Sequence, residues 1–275
     1  MLSTIVFSKD RPLQLDLTLN SIKKNLPLCN DIKVIYYASE KFEKSYGTLA
    51  EEHESVEFLN EELVSFPSEL WTTVSLIDNP YLMFLTDDNI VYQPSKTTEL
   101  DLGNLFARDI ACLSLRLGVN ITHRDGYPTP QPRFERVAGH HLIWNRMSVL
   151  AQDYFNYPLS VDGHIFKTRD IDKIITNLCA SNNIKNPNKL EQLLQRYFFE
   201  VPALMACELH SCVVNSPNNR VQEEVQNWHG QQFPYDPSYL LELYNKGIRL
   251  GLDYIDFKNI VCPHTEIDIL RNICQ

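Results

Sequence analysis

No stretch of this 275-residue chain approaches the roughly 20 consecutive apolar residues that a helical membrane span requires. The opening Met1-Leu-Ser-Thr-Ile-Val-Phe run leads straight into Ser-Lys-Asp, without a basic leader or a small-residue cleavage site, so no signal peptide is expected. Seven cysteines, Cys29, Cys112, Cys179, Cys207, Cys212, Cys262 and Cys274, are scattered and include no C-x-x-C pair. An odd, dispersed set argues against a disulfide framework or a structural zinc site, and for a reducing, cytoplasmic location. G-x-G-x-x-G and G-x-x-x-x-G-K-[ST] are also missing, which removes most of the support for dinucleotide oxidoreductases and P-loop enzymes. The chain has no internal repeat, low-complexity tract or flexible linker.

Positive charge is in short supply, with 25 Lys and Arg against 35 Asp and Glu and a net charge of −10. A field of that sign repels anions, so an anionic ligand must be met by local basic groups or by a bound cation. It also disfavours broad electrostatic binding to nucleic acid. At 44% hydrophobic and 22% charged residues the composition is globular, and the length suffices for one large core.

Short apolar runs alternate with helix-like segments through the first half, which predicts an α/β fold with a mostly parallel sheet flanked by helices. Strands are expected at Leu2–Ser8, Ile32–Tyr37, Val56–Leu59, Tyr81–Leu85 and Ile110–Leu115, and a helix at Glu69–Ile77. Between Asp10 and Leu26 two periodicities compete. Leu13, Leu15, Leu17 and Leu19 alternate as in a strand, while Leu15, Leu19, Ile22 and Leu26 form one helical face. Asp10 as a cap and Pro12 in the first turn favour the helix. Residues Asn120–Phe134 read as a long loop, and Thr168–Ala180 and Asn188–Glu200 as helices. A last helix opens at Asp236-Pro237 and closes at Lys246-Gly247. The expected organisation is one unit, 1–275, with a nucleotide-binding half (1–120) and a helical, loop-rich acceptor-binding half (121–275).

The strongest local signal is Tyr81-Leu-Met-Phe-Leu-Thr-Asp-Asp-Asn-Ile-Val-Tyr92, in which two carboxylates end an apolar strand. Open α/β sheets place ligands at that edge. Mg²⁺ or Mn²⁺ prefers oxygen ligands and bridges a carboxylate to a diphosphate, so Asp87 and Asp88 are candidate metal ligands. An equally good reading of this segment alone is a solvated turn. The Phe7-Ser-Lys-Asp-Arg-Pro12 loop is a second candidate, with Ser8, Lys9, Asp10 and Arg11 placed for a nucleotide; its plainer reading is a helix cap with exposed charges. Arg116 and Arg220 suit phosphate or acceptor, and equally a buried ion pair. Asp162, beside Gly163, is the candidate general base, against the plainer reading of a turn aspartate. His140 and His141 are adjacent, and neighbouring side chains on a strand point to opposite faces, so a structural pair is expected. Trp71, Trp144 and Trp228 could stack on a sugar or base, but isolated aromatics are more often packing.

A strand, polar loop and helix followed several βα units later by an acidic strand end resembles the GT-A type of nucleotide-sugar glycosyltransferase. Ser114–Asn120, Tyr157–Phe166, Asn186–Glu191 and Asn215–Gln222 are similar, in that order, to a group of bacterial and phage sequences described as glycosyltransferases. The resemblance implies a GT-A-like fold and a nucleoside diphosphate sugar donor, most commonly UDP-linked. It further implies a Mn²⁺ or Mg²⁺ ion and a saccharide or glycoconjugate acceptor. The family's D-x-D motif falls on Thr86, Asp87 and Asp88, so its first acid is missing. By resemblance Asp88 holds the metal, Asp87 lies by the ribose or a metal-bound water, and a late histidine, His264, completes the shell; His164 is also placed by resemblance. Transfer to a modified DNA base, a metal-dependent phosphohydrolase and a non-catalytic binding module are the competing readings. Acidity disfavours the first, and sparse further acid or histidine motifs disfavour the second.

Overall fold

The computed structural model describes residues 1–61, 64–124, 126–137, 139–150, 153–181, 184–222 and 229–271. The first half runs β1 (Leu2–Lys9), α1 (Pro12–Asn25), β2 (Cys29–Tyr37), α2 (Glu40–Glu52), β3 (Val56–Asn60), α3 (Phe66–Ser75), β4 (Tyr81–Thr86), β5 (Asn89–Val91), α4 (Glu99–Phe106) and β6 (Ile110–Ser114). Four short strands follow: β7 (His123–Arg124), β8 (Tyr127–Pro128), β9 (Glu135–Val137) and β10 (His141–Asn145). The chain continues with β11 (His164–Lys167), α5 (Thr168–Ser181), α6 (Pro187–Leu194), β12 (Leu204–Glu208), β13 (Val213–Asn215) and α7 (Pro237–Asn245).

The described residues form a nine-stranded sheet in the order β3-β2-β1-β4-β11-β6-β12-β10-β9. Parallel pairing joins β3, β2, β1 and β4, and joins β6 to β12, while β10 and β11 run against the rest. The fold class is therefore a mixed, mostly parallel sheet flanked by helices. Strands from both sides of residue 120 share it, and β11 inserts between β4 and β6. Gly163 makes that insertion possible. Its N–H donates to Phe84 O and its carbonyl accepts from Leu115 N, both at 2.9 Å. At φ +74° an added Cβ would lie 3.1 Å from Val213 Cγ1, so this left-handed position favours glycine sterically and conformationally.

The segment with two periodicities is the helix α1. Leu13, Leu15, Leu17, Leu19 and Ile22 are all buried, as are Gln14, Asp16, Thr18 and Ser21. A helix enclosed on nearly every side needs apolar residues all round, and this blurs a one-face pattern. Its N-cap is Arg11 rather than Asp10. Asp10 adopts φ 53°, and its carboxylate instead accepts from Ser39 N at 2.7 Å and Ser39 Oγ at 3.0 Å, just before α2. Neither α2 nor α4 stands out in the sequence. α3 starts three residues before the expected Glu69, with a proline in its first turn. α6 stops at Leu194 and gives way to a tighter turn over Gln195–Tyr197. Asp236 caps α7 as expected, accepting from Ser238 N at 2.7 Å, and Gly247 follows at φ +82°. No helix among the described residues is long and apolar enough to cross a membrane.

Candidate active site

Strand β1 has β2 on one side and β4 on the other, so the chain's crossovers diverge there, and a crevice opens beyond the carboxyl ends of β1 and β4. A cleft of about 1060 Å³ occupies this position, ample for a small-molecule ligand. Ser8, Lys9 and Arg11 reach it from the end of β1, and Thr86, Asp87 and Asp88 from the end of β4. Arg116, just after β6, lines it too, and the second half adds Asp162, Glu191, Asn215, Asn219, Arg220 and His264. Lys9, Arg11, Arg116, Arg124, Lys185 and Arg220 all line the cleft. Glu61, Asp87, Asp88, Asp162 and Glu191 line it as well, so the cleft offers both local basic groups for an anion and carboxylate oxygens for a cation.

Arg11 is the organising cation. Its Nη1 donates to Asp87 Oδ1 at 2.8 Å and to Asp88 Oδ2 at 3.0 Å. Its Nε and Nη2 donate to Asn219 Oδ1 at 2.7 Å and Asn219 O at 2.6 Å. Burial pulls the Arg11 pKa down, but Asp87 and Asp88 more than offset this and hold it above its ordinary range. Asp87, only 3% exposed, also accepts at Oδ2 from Ser8 Oγ at 2.9 Å and Lys9 N at 3.0 Å. Burial raises the Asp87 carboxyl above the usual carboxylate range, with Arg11 and the Lys9 amide pulling against it. Since the Ser8 hydroxyl donates to Asp87, the Tyr46 hydroxyl 2.6 Å away must donate to Ser8. Tyr46 in turn accepts from Arg11 N at 3.2 Å.

Asp88 is better exposed to the cleft. Its Oδ1 accepts from Thr86 Oγ1 and from Asn215 Nδ2, each at 2.7 Å. With Arg11 on Oδ2, three donors occupy a group that offers about four acceptor sites. The other end of the Asn215 amide, Oδ1, lies 3.2 Å from His264 Nδ1. A carbonyl oxygen accepts, so His264 donates from Nδ1 and carries its lone pair on Nε2. Asn215 thereby ties His264 to Asp88 across β13. Thr86 stands where the family motif has its first acid; its one hydroxyl hydrogen goes to the nearer Asp88, and Oγ1 also lies 3.2 Å from Asp162 Oδ1. A carboxylate at 86 would face two others at hydrogen-bond range, and a hydroxyl removes that repulsion.

Asp162, 8% exposed, is paired with Arg116 through Nη1–Oδ2 at 3.0 Å. The Arg116 guanidinium also lies 5.4 Å from the Tyr154 ring centre. Ser160 joins this acid to another. Its hydroxyl accepts from Asp162 N at 3.2 Å and donates to Glu191 Oε1 at 2.9 Å. Burial pushes Glu191 up to about 7, and Asp162 adds to the shift. Burial likewise pushes Glu61, at the far side of the cleft, up to about 7 against the pull of Lys9.

Some candidate residues lie elsewhere. Asp10 faces Ser39 and does not line the cleft. His164 is wholly buried in β11; its Nδ1 is 3.2 Å from Pro158 O, and burial holds it down to about 3. Trp144 is core, with Nε1 donating to Phe155 O at 2.7 Å, Trp71 is 46% exposed on α3, and Trp228 lies outside the described residues, as does Cys274. His140 and His141 do not diverge as strand neighbours. His140 lies in the turn before β10, and the ring centres are 4.6 Å apart. Residue-by-residue reading passed over Tyr46, Glu61, Glu191 and Asn219. For Glu191 and Asn219 a signal existed, since both lie within the segments similar to glycosyltransferases.

Fold and cleft together define an α/β protein with a crevice of mixed charge at the switch point of its sheet. In particular, the chain is similar to the bifunctional glycosyltransferase pgtA of Dictyostelium discoideum, at 28% identity over 255 residues covering 81% of this chain and 32% of that protein. It thus spans about a third of the length of that curated relative. No family model matches. Among solved structures, S. aureus TarS 1-349 in complex with UDP has 13% identity and a TM-score of 0.46, covering 79% of this chain and 61% of that one. The mannosyltransferase PcManGT from Pyrobaculum calidifontis, in complex with GDP-Man and Mn²⁺, has 14% identity and a TM-score of 0.33, covering 44% and 42%.

Proposed function

We propose that this chain is a metal-dependent glycosyltransferase that moves a sugar from a nucleoside diphosphate, UDP being the leading carrier, to a saccharide or glycoconjugate hydroxyl. The observation that carries the reading is the Asp88–Asn215–His264 chain facing a cleft at the carboxyl ends of β1 and β4 that also holds Lys9 and Arg220. Asp88 and the Nε2 lone pair of His264 suit a divalent cation such as Mn²⁺ or Mg²⁺. When bound, that cation supplies charge neutralisation to the leaving diphosphate. Asp87 acts differently from Asp88: its oxygens anchor Arg11, Ser8 and the Lys9 amide, and so fix the loop that receives the nucleotide. Lys9 and Arg220 meet the phosphates. On the opposite wall Asp162 and Glu191 form the acceptor end, where the linked acids orient the attacking hydroxyl and take its proton. Arg116 holds the Asp162 carboxylate in place through its Nη1–Oδ2 contact at 3.0 Å.

A panel of nucleotide sugars with Mn²⁺ tests the proposal. Slow release of free nucleoside diphosphate from one donor, lost in Asp88→Ala and in chelator, is the expected result. Release of inorganic phosphate would identify a phosphohydrolase instead, and saturable donor binding with no product a binding module. Acceleration by modified DNA would move the acceptor to a nucleic-acid base.

A further inference from the structure

Outside the cleft, one group of side chains has the composition of a transition-metal site. Asp101, His140 and His141 each offer a ligand atom, and these atoms lie within 4.8 Å of one another. None of the three lines the cleft. We propose that they bind a second cation, Zn²⁺ or a similar transition metal, independently of any donor-site ion.

The surroundings prepare each ligand. Asp101 sits in the first turn of α4, and its Oδ2 accepts from Thr98 N at 2.9 Å and from Thr98 Oγ1 at 2.6 Å. Oδ1 is therefore the oxygen left for a cation. His141 opens β10 with Nε2 3.0 Å from Thr97 Oγ1. The hydrogen of that hydroxyl goes to Glu208 Oε1 at 2.7 Å, so the hydroxyl must accept from His141. That fixes the proton on Nε2 and the lone pair on Nδ1. A ligating histidine is commonly oriented by such a partner, here a carboxylate acting through a hydroxyl. Glu208 is itself held by Ser95 Oγ at 2.5 Å and Lys96 N at 3.0 Å. His140 Nε2 is shielded from solvent and has no hydrogen-bond partner among the described residues, a costly state for a buried polar atom that a metal bond would relieve. Two imidazoles and one carboxylate suit Zn²⁺, Co²⁺ or Ni²⁺ better than Mg²⁺. The ion would join the first turn of α4 to the start of β10.

The test uses the full chain carrying Asp88→Asn, which weakens the proposed donor-site ion, stripped with chelator and titrated calorimetrically with Zn²⁺. One Zn²⁺ per chain is expected, with a rise in melting temperature, and His140→Ala should weaken binding at least about tenfold. Asp101→Asn, which keeps an oxygen for the Thr98 cap, should do the same and serves if the histidine variant misfolds. Co²⁺ should give visible bands that the same substitutions alter. Absence of stoichiometric Zn²⁺ binding in the Asp88→Asn chain, or unchanged affinity in folded variants, overturns the site. Neither result bears on the glycosyltransferase reading, whose test reads nucleotide release.

Discussion

Replacing Arg11 with methionine gives the sharpest test of how the cleft is built. The change preserves much of the side chain's volume but deletes four hydrogen bonds, two to Asn219 and one each to Asp87 and Asp88. Asp87 remains almost wholly buried, with Ser8 and the Lys9 amide but no countercharge. Breaking a buried ion pair from one side costs about 3–5 kcal/mol. At about 2–4 °C per kcal/mol for a domain near this size, the melting temperature should fall by about 6–20 °C. The pH dependence distinguishes an uncompensated charge from lost packing. An acid whose folded pKa is raised contributes stability that is fully present below its unfolded pKa, and that is lost as pH rises through the folded value. Asp87 is already raised, and losing Arg11 raises it further, so the deficit of R11M against the parent should shrink as pH falls from 7 towards about 4. Adding Asp87→Asn should recover part of the loss at pH 7. Scanning calorimetry across that range decides the matter. A deficit independent of pH, together with a double variant no more stable than R11M, would refute the charge argument.

Glu191, pushed up to about 7, must ionise to accept a proton, so transfer rates should rise with pH through that region. Glu191→Gln should flatten this limb and lower kcat about 10²–10⁴-fold; an unchanged profile would leave Asp162 as the sole acid to test. His164 is buried and held down to about 3, so the stability it contributes is present above its unfolded pKa, near 6.5, and is lost as pH falls towards 3. His164→Leu should flatten that acid slope in calorimetric melts, and an identical slope would remove His164 as its cause. Gly163→Ala should destabilise by about 1–3 kcal/mol, from a left-handed backbone and a 3.1 Å approach to Val213, whereas a melt indistinguishable from the parent would mean that β11 shifts without cost.

What the sequence by itself determined is the parallel framework and the acid-ended strand. Leu2–Ser8 and Tyr81–Leu85 are rich in apolar residues because their strands are buried on both faces, whereas Lys33 and Glu57 break the runs at Ile32–Tyr37 and Val56–Leu59, nearer the sheet edge; burial of that kind is local enough to read. The acids after Leu85 are legible for the same reason, since polarity breaks abruptly where the strand leaves the core. The tertiary structure alone decided the partners. Nothing near Asp87 in the chain announces that Arg11, 76 residues away, and Asn219, 208 residues from Arg11, would close around it. Nor does the spacing of His140 and His141 reveal that a turn before β10 sets their rings side by side. Periodicity reports which face a residue turns to the core; which charges meet there depends on crossovers and loops that bring distant segments to one edge of the sheet, and no local pattern encodes that distance.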